Sequence, residues 1–151
     1  MYVPNGYVPT KYKHFIMQWK NIADPGCDVG SPPFAIEENN GKWGYIKKQD
    51  GDTACTVTVE TTFGDVDGTI TSGWHHFAVE IYYNYTASGY FKLWYQENDT
   101  IDVDTDLLFH VNGPTGYNDR QGPYFKLGNY GAANRTLYFD DVTIIEGPYG
   151  S

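Results

Sequence analysis

The 151-residue chain has the length of one domain, and its formal net charge of −9 with a pI of about 4.6 disfavours nucleic acid and anionic membrane as partners, because both reward clustered Lys and Arg. No run of about 18 apolar residues is present to span a bilayer. Aromatic residues make up 17% of the chain, with 14 Tyr, and 17 Gly punctuate its short apolar runs, a composition that argues for an all-β domain.

The chain opens MYVPNGYVPT, without the basic and apolar regions of a signal peptide. Three acceptor sequons, at Asn84, Asn98 and Asn134, nevertheless favour a secreted, glycosylated protein. Residues 13–20, KHFIMQWK, have strand composition and are too short for a helix. Strict alternation puts Phe15, Met17 and Trp19 on one face and His14, Ile16, Gln18 and Lys20 on the other. After the turn-rich NIADPGCDVGSPP, residues 34–48 read as a hairpin closed by Asn40-Gly41. In residues 53–63 the alternation points Cys55, Val57, Val59 and Phe63 inward. Cys27 and Cys55 make either one disulfide or two thiols, and without a CxxC spacing they do not suggest zinc.

GDVDGTITSG leads into WHHFAVEIYY and then GYFKLWYQ, which read as strands. The polar stretch from Glu97 to Gly122 is an extended loop with a short strand at LLFHV, and loops of that length usually serve a site. YFKLGNY (124–130), the loop GAANR and TLYFDDVTIIE as a closing strand complete the chain. With no amphipathic helix and no repeat, the expectation is one domain over residues 1–151, an antiparallel β-sandwich of two packed sheets. The expected core holds Phe15, Trp19, Phe77, Val79, Phe91, Leu93, Phe125, Leu127 and Phe139.

YFKLGNY places Tyr124, Lys126, Gly128 and Tyr130 on one strand face, opposite Phe125, Leu127 and Asn129. Together with QWK at 18–20, GWHHFAVEIYY through GYFKLWY at 73–95, and RTLYFDDV at 135–142, this stretch resembles the jelly-roll polysaccharide lyases. That group comprises alginate lyases with a YFKAG-type strand, glucuronan lyases and relatives of heparin lyase I. The resemblance implies a concanavalin-like jelly roll whose concave sheet carries a groove for an anionic polysaccharide. There a uronate is cleaved by β-elimination, with no cofactor required. The chain departs from the family at two points: it has Gln18-Trp19-Lys20 where alginate lyases carry Gln-x-His, and it lacks an arginine strand of RTE type, as if an N-terminal strand region were missing.

β-Elimination removes the C5 proton of a uronate and expels the oxygen on C4, so the site must neutralise the carboxylate, supply a base and protonate the leaving group. The expected catalytic set is Gln18, Lys20, Lys126 and Tyr130. Gln18 hydrogen-bonds the carboxyl group, and Tyr130 is a phenol that works as base or acid when a cation such as Lys126 stands near. Lys20 is a second base or a carboxylate anchor. His14, Tyr117, Asn118, Arg120 and Tyr124 are candidates for holding sugar, by hydrogen bonds or stacking. Asp140 and Asp141 resemble closing-strand acids that lie near a structural Ca²⁺ in the family, beside the plainer reading of a surface pair. The alternative function is a non-catalytic jelly roll that binds glycan or builds an extracellular or viral surface assembly.

Overall fold

The computed structural model describes residues 1–9, 14–25, 32–50, 58–65, 68–117, 121–130 and 136–145, with no side-chain description for 49–50 and 58–65. Nine strands run through it: β1 (Tyr2–Val3), β2 (His14–Ile22), β3 (Phe34–Asn39), β4 (Lys42–Asp50), β5 (Thr58–Asp65), β6 (Gly73–Tyr82), β7 (Tyr90–Glu97), β8 (Leu107–Asn112) and β9 (Gln121–Tyr130). They form a four-stranded sheet in the order β1-β6-β7-β8 and a five-stranded sheet in the order β5-β4-β3-β2-β9, antiparallel at every pairing. The β3–β4 turn needs two left-handed residues, and Asn40 and Gly41 supply them at φ 53° and 79°. No helix occurs among the described residues.

Period-two alternation from both sheets builds the core between them. Phe34 of β3 meets Phe91 of β7 at 4.9 Å between ring centroids, and Tyr45 of β4 meets Phe91 at 4.9 Å and Phe109 of β8 at 4.6 Å. Trp19 packs edge-on against Phe34 and Phe125, which ties β2 and β9 into the same layer. Burying one such ring stabilises the fold by about 1.5–3 kcal/mol. A polar knot crosses the layer as well. The Trp43 indole N–H donates to His75 Nδ1 at 3.1 Å, the Tyr95 hydroxyl lies 2.8 Å from that nitrogen, and His75 Nε2 lies 3.0 Å from the Thr71 carbonyl. The neutral Nε2–H tautomer satisfies all three contacts.

Three expectations change. Between Phe15 and Met17 the register against β3 advances two residues while β3 advances one, from Glu37 to Ile36. The extra residue is a bulge at Ile16, and it reverses the face of everything before it. Ile16 and Met17 both turn toward the core, Phe15 leaves it, and His14, paired with Glu38, is buried on the face opposite Gln18. TLYFDDVTIIE is not a closing strand: residues 136–145 contribute only the bridge of Tyr138 to Tyr2 at the edge of β1. Asp141, at φ 51°, breaks the extended run, and the residues after it are exposed, Ile145 to 86%. β1 itself was not anticipated. Cys27, Cys55 and Val57 lie outside the described residues.

Candidate functional site

The face of the five-stranded sheet that points away from the core is organised in rows set by strand register. Lys126 of β9, Gln18 of β2, Ala35 of β3 and Ile46 of β4 stand opposite one another in one row. The row toward the β9 C-terminus runs Tyr130, Phe15, Glu37 and Gly44, and on the other side Lys20 stands opposite Tyr124. Directly opposed side chains start about 4.5–5.5 Å apart at Cβ, so each row is a set of contacting positions. Although they face away from the partner sheet, Gln18, Ala35, Glu37 and Ile46 are each no more than 5% exposed. Along β9 the burial ends: Lys126 is exposed and Tyr130 is 64% exposed. The face is thus covered at its centre, where the carboxamide stands, and exposed along β9, where an ammonium and phenols stand.

The structure therefore brings Gln18, Lys20, Tyr124, Lys126 and Tyr130 onto one face of two adjacent strands. It also rearranges their neighbours. The Lys126 ammonium lies 5.1 Å from the centroid of the Tyr124 ring, so its aromatic contact is Tyr124, whereas Tyr130 stacks on Phe15 at 6.5 Å and 16°. His14, on the core face, is not part of the group. Tyr117 lies beyond the Lys20–Tyr124 end, in a cleft with Asn21 and Gln121. Asn118 and Arg120 lie outside the described residues. Asp140 and Asp141 are exposed and adjoin the Met1 ammonium, whose pKa is lowered chiefly by burial while the two carboxylates pull it up. No group of three or more His, Cys, Asp or Glu placed to hold a metal occurs among the described residues.

Phe15, Ala35, Glu37 and Ile46 are parts of this face that sequence reading missed. Glu37 carried a signal, since it interrupts the apolar strand FAIEEN at a position facing away from Phe34 and Ile36. Phe15 carried none, because only the bulge moves it there.

This two-sheet arrangement is similar to the crystal structure of an endo-β-1,4-glucuronan lyase from the fungus Trichoderma reesei, with a TM-score of 0.66 at 19% sequence identity. The match covers 84% of this chain and 52% of that one, so the chain spans about half the length of the lyase it resembles. At that identity the likeness is one of fold, the jelly roll. No curated protein matches the chain. The sequence profile of the polysaccharide lyases matches residues 1–143, nearly the whole chain, and the protein belongs to that family.

Proposed function

We propose that the protein cleaves a uronate-containing polysaccharide by β-elimination on the outer face of the five-stranded sheet. The observation that carries this reading is the row in which Gln18, on a buried floor, stands opposite Lys126, with Tyr130 on the same face. In the step proposed, a base takes the C5 proton, the electron pair of the broken C5–H bond becomes the second bond of C4=C5, and the C4–O bond breaks, its pair leaving on the oxygen, which takes up a proton. Gln18 donates from its amide to the uronate carboxylate and lowers the cost of charge developing beside C5. Tyr130, exposed and held flat by Phe15, is within reach of a sugar on this floor as base, acid or both in turn. Lys20 and Lys126 hold substrate carboxylates, with Lys20 the alternative base in the position where related lyases carry histidine. Secretion is part of the proposal, supported by the exposed sequon at Asn98.

A non-catalytic, glycan-binding reading has one observation in its favour: the Lys126 ammonium rests over Tyr124 rather than beside Tyr130, an arrangement suited to holding sugar. The two readings part in one assay. Purified protein is mixed with alginate, glucuronan and other polyuronates, and the ultraviolet absorbance of the unsaturated product is followed beside Tyr130→Phe. The lyase reading expects product from the native chain and a loss of at least about a hundredfold in Tyr130→Phe. Product from both at equal rates removes Tyr130 from the chemistry, and binding without product leaves the glycan-binding reading.

A further inference from the structure

Beyond the Lys20–Tyr124 pair the β2–β9 ladder ends at Ile22 opposite Gln121, and a cleft of roughly 180 Å³ opens there. It is walled by Asn21 from β2, by Tyr83, Asn84 and Tyr85 from the segment after β6, and by Tyr117 and Gln121 at the approach to β9. The volume is below the roughly 300–1,000 Å³ of pockets for drug-sized ligands, and of the order of a single sugar ring. Its chemistry differs from that of the rows beside it. Among the described residues that line it there is no Lys, Arg or His, only amides, phenols, Gly and Pro. Amides both donate and accept, which matches sugar hydroxyls, and phenol rings stack on the apolar face of a pyranose. A carboxylate in the same place would be desolvated with no cation opposite it among the described lining residues. Tyr83 contributes its ring to this wall; its hydroxyl is buried behind it, without a hydrogen-bond partner among the described residues.

The wall is also built rigid. Thr115 is buried; its N–H donates to the Asn84 carbonyl at 2.8 Å, its hydroxyl donates to the Tyr82 carbonyl at 2.6 Å and accepts from the Asn84 N–H at 3.1 Å. The segment carrying Tyr83–Tyr85 is thereby clamped to the segment carrying Tyr117. Four strand steps separate Gln18 from Ile22, roughly 13 Å, the span of about two to three pyranose rings. We propose that this cleft is a subsite for an uncharged sugar residue of the polysaccharide whose uronate lies at Gln18 and Lys126, so that the substrate is a mixed polymer of uronate and neutral sugar. This rests on the lyase reading.

The test uses two surface substitutions together, Tyr117→Ala and Gln121→Ala, in the full chain. Calorimetric titration with two neutral probes, cellotetraose and mannotetraose, is expected to show saturable binding of at least one by the native protein. That binding should be insensitive to salt and about tenfold weaker in the double variant, the loss of one stacking ring and one amide. In the ultraviolet assay the double variant should raise KM on a polymer alternating glucuronate with a neutral sugar. Neutral-probe binding lost in the double variant supports the cleft even if the native protein forms no unsaturated product from any polymer, in which case the lyase reading alone fails. If product forms but neither probe binds, or the double variant weakens tetraglucuronate more than the neutral probes, the cleft proposal is overturned and the lyase reading stands.

Discussion

His75 illustrates how much one residue can commit the fold to a protonation state. Its Nδ1 accepts from the Trp43 indole, and that contact requires a lone pair which a second proton would remove. Burial is the main cause that holds its pKa below the ordinary imidazole value, with the Thr71 carbonyl and the Glu97 carboxylate working the other way. The folded chain therefore stays neutral at His75 at a pH where the unfolded chain has taken up a proton. Stability from this residue is complete above the unfolded value of about 6.5 and is lost as pH falls below it toward the folded pKa, at up to about 1.4 kcal/mol per pH unit. Urea unfolding followed at pH 8, 7, 6 and 5 should give a declining free energy in the native chain and a shallower decline in His75→Gln. Equal slopes would place the responsible proton elsewhere.

Among the elements, β2 is the one whose reading from sequence failed part-way along, and the failure has a mechanical cause. Its identity as a strand was legible in KHFIMQWK, as were the Asn40-Gly41 hairpin, β6, β7 and the short β8, because each obeys period-two alternation or carries a turn signal. A bulge inserts one residue without any change in composition, so nothing in the sequence marks the parity reversal at Ile16 that takes Phe15 out of the core and turns His14 into it. The reversal is measurable. Phe15→Ala should cost less than about 1.5 kcal/mol, the value of an aromatic pair at a partly exposed site. Phe91→Ala, which empties the centre of the core, should cost about 3–5 kcal/mol. Comparable urea midpoints for the two would mean that Phe15 is a core residue after all. A second element-scale device is the Thr115 clamp. Thr115→Val keeps the shape but leaves the Tyr82 carbonyl and the Asn84 N–H without that partner, a loss of about 1–3 kcal/mol in the same experiment.

For the whole molecule, the class of fold was readable because two faces, one apolar and one polar, recur in nearly every strand. Which strands lie side by side was not, since sequence signals pair only neighbours in a hairpin. The pairing that makes the site, β2 with β9, joins segments from opposite ends of the chain, and the closing strand failed for the related reason that β1 offers an edge of only two residues. Charge is likewise a property of the whole, and it opposes the proposed substrate. A chain of net charge −9 repels a polyuronate at a distance, whereas Lys20 and Lys126 attract its carboxylates at contact. Salt acts on the two differently. At about 0.01 M the Debye length is about 30 Å and the global repulsion governs encounter; at about 0.1 M it is about 10 Å, so the repulsion is screened while contacts a few ångströms long survive. Near 1 M, at about 3 Å, those contacts are screened as well. The kcat/KM for a polyuronate, or the association rate if the chain only binds, should therefore rise from 0.01 to 0.1 M NaCl and fall again toward 1 M. Proteins that meet polyanions with a basic surface instead lose affinity steadily across that range. A steady decline in this protein would show that a basic patch outside the described residues, rather than Lys20 and Lys126 set in an acidic surface, governs the approach of the substrate.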